Sequence, residues 1–176
     1  MAHKGYAAVG LTEVLSEAHV PKGSFYHYFE SKDAFGEALM KAYFVEYLAD
    51  MDQIFADRTV SAADRLFRYL QHWSQMETHD DGRGRCLAVK LGAEVADLSE
   101  SMRVALVDGT DGIVERLEQI LQLGTEDQSL VVHANPGSTA EVVYDTWLGA
   151  SILAKIHRSP APLDRAMTIT RQLLHP

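Results

Sequence analysis

The chain has 176 residues, a net charge of −9 and a single cysteine. That length suits one domain, or a small module attached to a larger one, and can bury a real core. One cysteine excludes an intramolecular disulfide framework and predicts a reducing, cytoplasmic setting. No stretch approaches the roughly 20 apolar residues of a membrane span, and MAHKGYAAVG has no apolar core of a signal peptide.

The negative charge argues at first against a nucleic-acid partner, whose usual footprint is a basic patch. Its distribution weakens that objection. Residues 1–41 are nearly neutral, with Lys4, Lys22, Lys32 and Lys41 against Glu13, Glu17, Glu30, Asp33 and Glu37, so the acidity belongs mostly to the remainder.

Helical periodicity recurs along the whole chain and no segment alternates with period two, so the predicted fold class is all-α. Leu11, Val14, Leu15 and Ala18 define the apolar face of a first helix over 11–18, and a break follows at His19-Val20-Pro21. Pro21 suits the first turn of a short helix over 22–29. Ser31 then reads as the N-cap of a long helix running to Phe55. Further helices are predicted near 61–77, 86–96, 99–123, 138–157 and 162–174. Asn135-Pro136-Gly137-Ser138 reads as a turn followed by a cap, and Ser129 to His133 as a possible short extended piece.

Helices 11–18 and 22–29 with their tight turn make a helix-turn-helix, in which the second helix enters the DNA major groove. Lys22, Ser24, Tyr26 and His27 offer hydrogen-bonding groups if Phe25, Tyr28 and Phe29 turn inward. Lys32 lies in the first turn of the next helix, a place suited to a phosphate. The periodicity alone is equally compatible with a packing corner of an all-α core.

The run GYAAVGLTEVLSEAHVPKGSFYHYFESKDAF, residues 5–35, resembles the DNA-binding signature of the TetR family of transcriptional repressors. The resemblance implies a helix-turn-helix domain over 1–40 and an effector-sensing and dimerisation domain over 41–176. It also implies a homodimer on a palindromic double-stranded DNA operator, released by a small-molecule or electrophilic effector. The residues themselves argue against an enzyme, cofactor or metal: the histidines are scattered, and the sequence has no Gly-rich phosphate loop or G-x-S-x-G elbow. Carried over residue by residue, Thr12, Lys22, Gly23, Ser24, Tyr26, His27 and Lys32 would contact DNA, the last two chiefly at phosphates. Two departures stand out. His19 occupies the turn position where the family usually has glycine, and only four residues precede GYAAVGLTEV where the family pattern carries a whole helix. A different reading is therefore a helical homodimeric ligand-binding module without DNA binding, and an additional helix encoded upstream would discriminate the two.

For dimerisation the candidates are Tyr144, Trp147, Leu148, Gly149, Ala150, Ser151 and Ile152 of one helix and Leu163, Ala166, Met167, Thr170, Leu173 and Leu174 of the next. Their patterning alone fits an intrachain core as well; the resemblance places these two helices in an intersubunit four-helix bundle.

Three readings concern the sensor. Cys86 is a small buried hydrophobe, or a reactive thiol, or a bystander to a reversible ligand pocket lined by Trp73, Met76, Met102, Leu106 and Trp147. Reactivity has a physical basis: Arg83 and Arg85 precede Cys86, Lys90 follows one turn later, and a helix start favours a thiolate. The runs GRCLAVKLGAEVADLSESMRVAL and YDTWLGASILAKIHRS are similar to the TetR subgroup that controls N-ethylmaleimide reductase-type detoxification genes. That similarity favours an electrophile or oxidant sensor at Cys86. Lys155, on a stripe with Tyr144, Leu148, Ser151 and Ile152, either snorkels near its helix end or approaches the thiol. His72 and His79 with Asp80 and Asp81 read as a solvated helix end rather than a metal site.

Overall fold

The computed structural model describes residues 6–78 and 87–174. Among these residues the regular structure is entirely helical, in eight helices: α1 (Leu11–Glu17), α2 (Lys22–Tyr28), α3 (Lys32–Phe55), α4 (Ala62–Thr78), α5 (Leu87–Leu98), α6 (Glu100–Glu126), α7 (Pro136–His157) and α8 (Ala161–Leu174). No described helix is long and apolar enough to cross a membrane. The possible extended piece at 129–133 is not a strand. Helix α6 runs on to Glu126, and the turn beyond it is used as a cap. Asp127 accepts from Ala62 N–H at 2.8 Å and Ser129 Oγ from Ala63 N–H at 3.0 Å, satisfying the free amides at the start of α4.

The expected caps form. Ser31 Oγ accepts from Ala34 N–H at 3.0 Å ahead of α3. Asn135 Oδ1 accepts from Gly137 and Ser138 N–H at 2.9 and 3.2 Å, with Pro136 opening α7.

The chain divides into two compact units. The first comprises residues up to Glu46 together with Cys86–Thr110, so α5 and the start of α6 group with the helix-turn-helix segment. Its core contains Tyr6, Leu15, Phe25, Met40, Phe44, Leu91, Val95, Met102 and Ala105. Close approach of α3 and α6 requires glycine at position 109, where a Cβ would collide with the Phe44 ring. Leu91 and Val95, one turn apart on α5, turn inward and set which face of that helix meets the N-terminal segment.

The second unit comprises Tyr47–Arg85 and Asp111–Pro176. Leu66, Leu70, Trp73, Ile113, Leu117, Ile120, Trp147 and Leu163 are all but fully buried, each worth roughly 1.5–3 kcal/mol of transfer free energy on full burial. Its two tryptophans lie 5.9 Å apart and each finds a hydroxyl. Trp73 Nε1 donates to Ser151 Oγ at 2.9 Å, and Trp147 Nε1 donates to Thr170 Oγ1 at 3.0 Å. Buried indoles need such partners, and these two tie α4 to α7 and α7 to α8.

Most of the side chains expected at a subunit interface lie instead in this core. Tyr144, Trp147, Ala150, Ser151, Leu163, Ala166, Thr170 and Leu174 are buried within the chain, because α7 and α8 pack against each other. The apolar residues left outside are Val142, Ile152, Leu153, Ile156, Ile169 and Leu173.

A candidate nucleic-acid interface on α2

The α1–α2 turn closes as a Schellman motif. Val20 N–H donates to Leu15 C=O at 2.9 Å and His19 N–H to Ser16 C=O at 3.1 Å. The motif needs a left-handed residue at its centre, and His19 supplies it with φ 53°. Glycine is the usual occupant because it has no Cβ to clash; histidine holds the same turn at some cost.

Helix α2 is anchored by one aromatic cluster. Phe25 is buried, with ring centroids 5.4 Å from Phe29 and 5.7 Å from Phe35, and Phe29 lies 5.1 Å from Phe35. Tyr28 does not join them. It is 77 % exposed, contrary to the inward orientation its spacing from Phe25 suggests. The helix ends at Tyr28 and Phe29 turns extended, at φ −130° and ψ 125°, so Phe29 takes the inner place and Tyr28 is left outside.

The outer face of α2 therefore presents Lys22, Gly23, Ser24, Tyr26, His27 and Tyr28, all exposed, with Thr12 of α1 exposed as well. Lys22 Nζ stands 5.9 Å from the Tyr26 ring centroid, and the His27 and Tyr28 rings meet edge-on at 5.1 Å. A Cβ on Gly23 would meet nothing within 4 Å, so a ligand backbone can approach α2 closely there. Hydroxyl, imidazole, phenol and ammonium groups on one short helix form a surface able to donate to phosphates and to base edges.

Lys32 is partly buried and already engaged. Its ammonium donates to Tyr6 C=O at 2.7 Å and lies 4.2 Å from the Tyr6 ring centroid. The Tyr6 hydroxyl in turn donates to Lys32 C=O at 2.8 Å or Asp33 Oδ1 at 3.0 Å. Burial raises the Tyr6 phenol well above its ordinary pKa, and the hydrogen bond and negative charge of Asp33 add to the shift. Neither Tyr6 nor its partner Glu94 has a local sequence signal, since they meet across 88 residues.

The effector candidates separate. Cys86 and Arg85, like Arg83, His79, Asp80 and Asp81, lie outside the described residues. Trp73, Met76 and Trp147 belong to the second unit, whereas Met102 and Leu106 sit in the core of the first. Lys155 is exposed on α7, on the same side as exposed Ile152 and Ile156.

A tight-turned helix pair with a polar, aromatic outer face, followed by a large helical remainder, defines a helix-turn-helix DNA-binding regulator. Residues 1–39 match the model for bacterial regulatory proteins of the tetR family, and residues 62–170 match the tetracyclin repressor-like C-terminal domain. The chain belongs to the TetR family and is a transcriptional repressor of its NemR-like branch. It is 39 % identical to the HTH-type transcriptional repressor NemR of Escherichia coli K12, over 97 % of this chain and 86 % of that protein. The crystal structure of reduced E. coli NemR superposes with a TM-score of 0.93 at 38 % identity, covering 99 % of this chain and 90 % of that one. The transcriptional regulator AcuR of Cereibacter sphaeroides is 35 % identical, over 93 % of this chain and 74 % of its own length.

Proposed function

We propose that the protein is a cytoplasmic homodimer that binds a palindromic operator through α2 and releases it when Cys86 is modified by an electrophile or oxidant, or when a small ligand binds. The exposed face of α2 carries this reading. Thr12, Lys22, Gly23, Ser24, Tyr26 and His27 contact the duplex, joined by Tyr28, while Lys32 gives one ammonium proton to Tyr6 C=O and keeps its remaining donors for a phosphate at the start of α3. A helix of seven residues reaches few bases, so phosphates supply much of the affinity and binding falls with salt.

Two recognition helices on one palindrome require a two-fold dimer. The exposed apolar residues of α7 and α8 supply a self-complementary face for it, with Ile152, Leu153 and Ile156 on one helix and Ile169 and Leu173 on the other. Cys86 immediately precedes α5, where Arg83 and Arg85 and the helix dipole favour its thiolate, the form that attacks electrophiles.

The test is a gel shift on the promoter upstream of the protein's own gene, with and without N-ethylmaleimide, for the wild type and Cys86→Ser. Release of the wild type but not of the variant is expected. Equal release refutes the thiol sensor, and no shift by the untreated wild type refutes operator binding.

A further inference from the structure

We propose that Glu94 is a positioning residue that couples α5 to the DNA-binding helix pair by clasping the backbone in front of α1. One carboxylate oxygen, Oε1, accepts from Ala7 N–H at 2.8 Å; the other, Oε2, accepts from Tyr6 N–H at 3.1 Å. Two successive amides are thereby held by a single ionised group. Hydrogen bonds of this charge-assisted kind are roughly twice as strong as neutral ones.

Tyr6 carries the restraint onward. Its N–H meets α5 through Glu94, while its carbonyl, ring and hydroxyl are all taken by Lys32 and Asp33 at the start of α3. Phe35, one turn into α3, stacks edge-on against Phe25 and Phe29 of the α2 segment. The contacts thus run without a gap from α5 through Tyr6 to the aromatic anchor of the recognition helix, all within the first compact unit.

The other end of α5 is tied as well. Leu87 N–H donates to Tyr43 Oη of α3 at 3.2 Å, and Leu87 is the residue bonded to Cys86. A shift of α5 following a change at Cys86 acts directly on the Glu94 clasp. The two N–H···O bonds of the clasp weaken steeply as their lengths and angles depart from those of the resting state. Broken, they free the segment that fixes α1 and the start of α3.

The coupling to operator binding rests on the function proposed above, so the test reads the clasp separately from DNA. Hydrogen–deuterium exchange is followed in the full chain for the wild type, Glu94→Gln, Glu94→Asp and, as a control, Asp97→Asn, each before and after N-ethylmaleimide, whose thiol target is Cys86 alone. Gln turns a donor toward an amide donor, and Asp keeps the charge but withdraws it by a methylene. Both Glu94 variants are expected to speed exchange in residues 6–28 tenfold or more while α7 and α8 exchange at the wild-type rate. Asp97→Asn should match the wild type.

Alkylation is expected to speed exchange in residues 6–28 of the wild type several-fold and to add less than twofold in Glu94→Gln. Wild-type exchange over 6–28 in the Glu94 variants overturns the proposal. So does alkylation that leaves these amides unchanged in the wild type, or that accelerates them equally in wild type and variant. If Glu94→Gln fails to fold, Glu94→Asp decides. Operator affinity measured in parallel separates the two claims: exchange coupling without any operator shift supports the clasp and retires operator binding.

Discussion

Trp147 donates its indole N–H to the hydroxyl of Thr170 at 3.0 Å, with 0 % and 1 % of the two residues exposed. The same hydroxyl donates to Ala166 C=O at 2.8 Å, so it relays one polar group into the backbone of α8. Thr170→Val keeps the shape and removes the acceptor, leaving a buried indole donor without its partner. Such a loss costs about 1–3 kcal/mol. Urea denaturation should show that drop for Thr170→Val and recovery of most of it in Thr170→Ser. A valine variant as stable as the wild type would mean the bond contributes nothing.

His19 holds the left-handed position of the α1–α2 turn at φ 53° and is exposed. Replacing it with glycine removes the Cβ penalty without losing packing, against a somewhat larger entropy of the unfolded chain. His19→Gly should stabilise the protein by about 0.5–1 kcal/mol. Thermal unfolding checks this, and a lower melting temperature would show that His19 makes a favourable interaction in the turn.

Ile156 is 66 % exposed on the apolar side of α7. If that side meets a second copy, Ile156→Asp places a carboxylate in an apolar interface, where leaving a charge unpaired is strongly unfavourable. Sedimentation equilibrium should find the wild type dimeric and the variant shifted to monomer, with unchanged helicity. Equal masses would move the interface elsewhere.

Asp57 accepts from the Thr59 hydroxyl and backbone N–H and from Arg68 Nη1 at 2.9 Å. Chiefly through Thr59 and then Arg68, its carboxyl is lowered from 3.8 to about 2. A depressed acid stabilises the fold above its unfolded pKa and loses that contribution as pH falls through the folded value. Between 3.8 and about 2, Asp57→Asn should therefore lose stability less steeply than the wild type. Urea midpoints across this window test it; parallel curves would remove Asp57 from the acid response. Glu37, Glu100 and Asp127 are lowered too, so the difference is one of slope.

The helices, Ser31 and Asn135 at their caps, the His19 turn and the polar face of α2 were all legible in the sequence, because each depends on residues within about two helical turns of one another. Periodicity reports which side chains share a face. It does not report what that face meets. Tyr28 shares a spacing with Phe25, yet the helix end at Tyr28 and the extended backbone of Phe29 decide that it points outward. The apolar residues of α7 and α8 were recognisable as such, but only packing separated buried Trp147 and Ala166 from exposed Ile156 and Ile169. Met102 and Trp147 share hydrophobic character with no local sign that they serve different compact units. The Glu94 clasp on Tyr6 and Ala7 lies furthest from any sequence signal. A carboxylate on a helix looks solvated until folding brings two backbone amides from the other end of the unit within its reach.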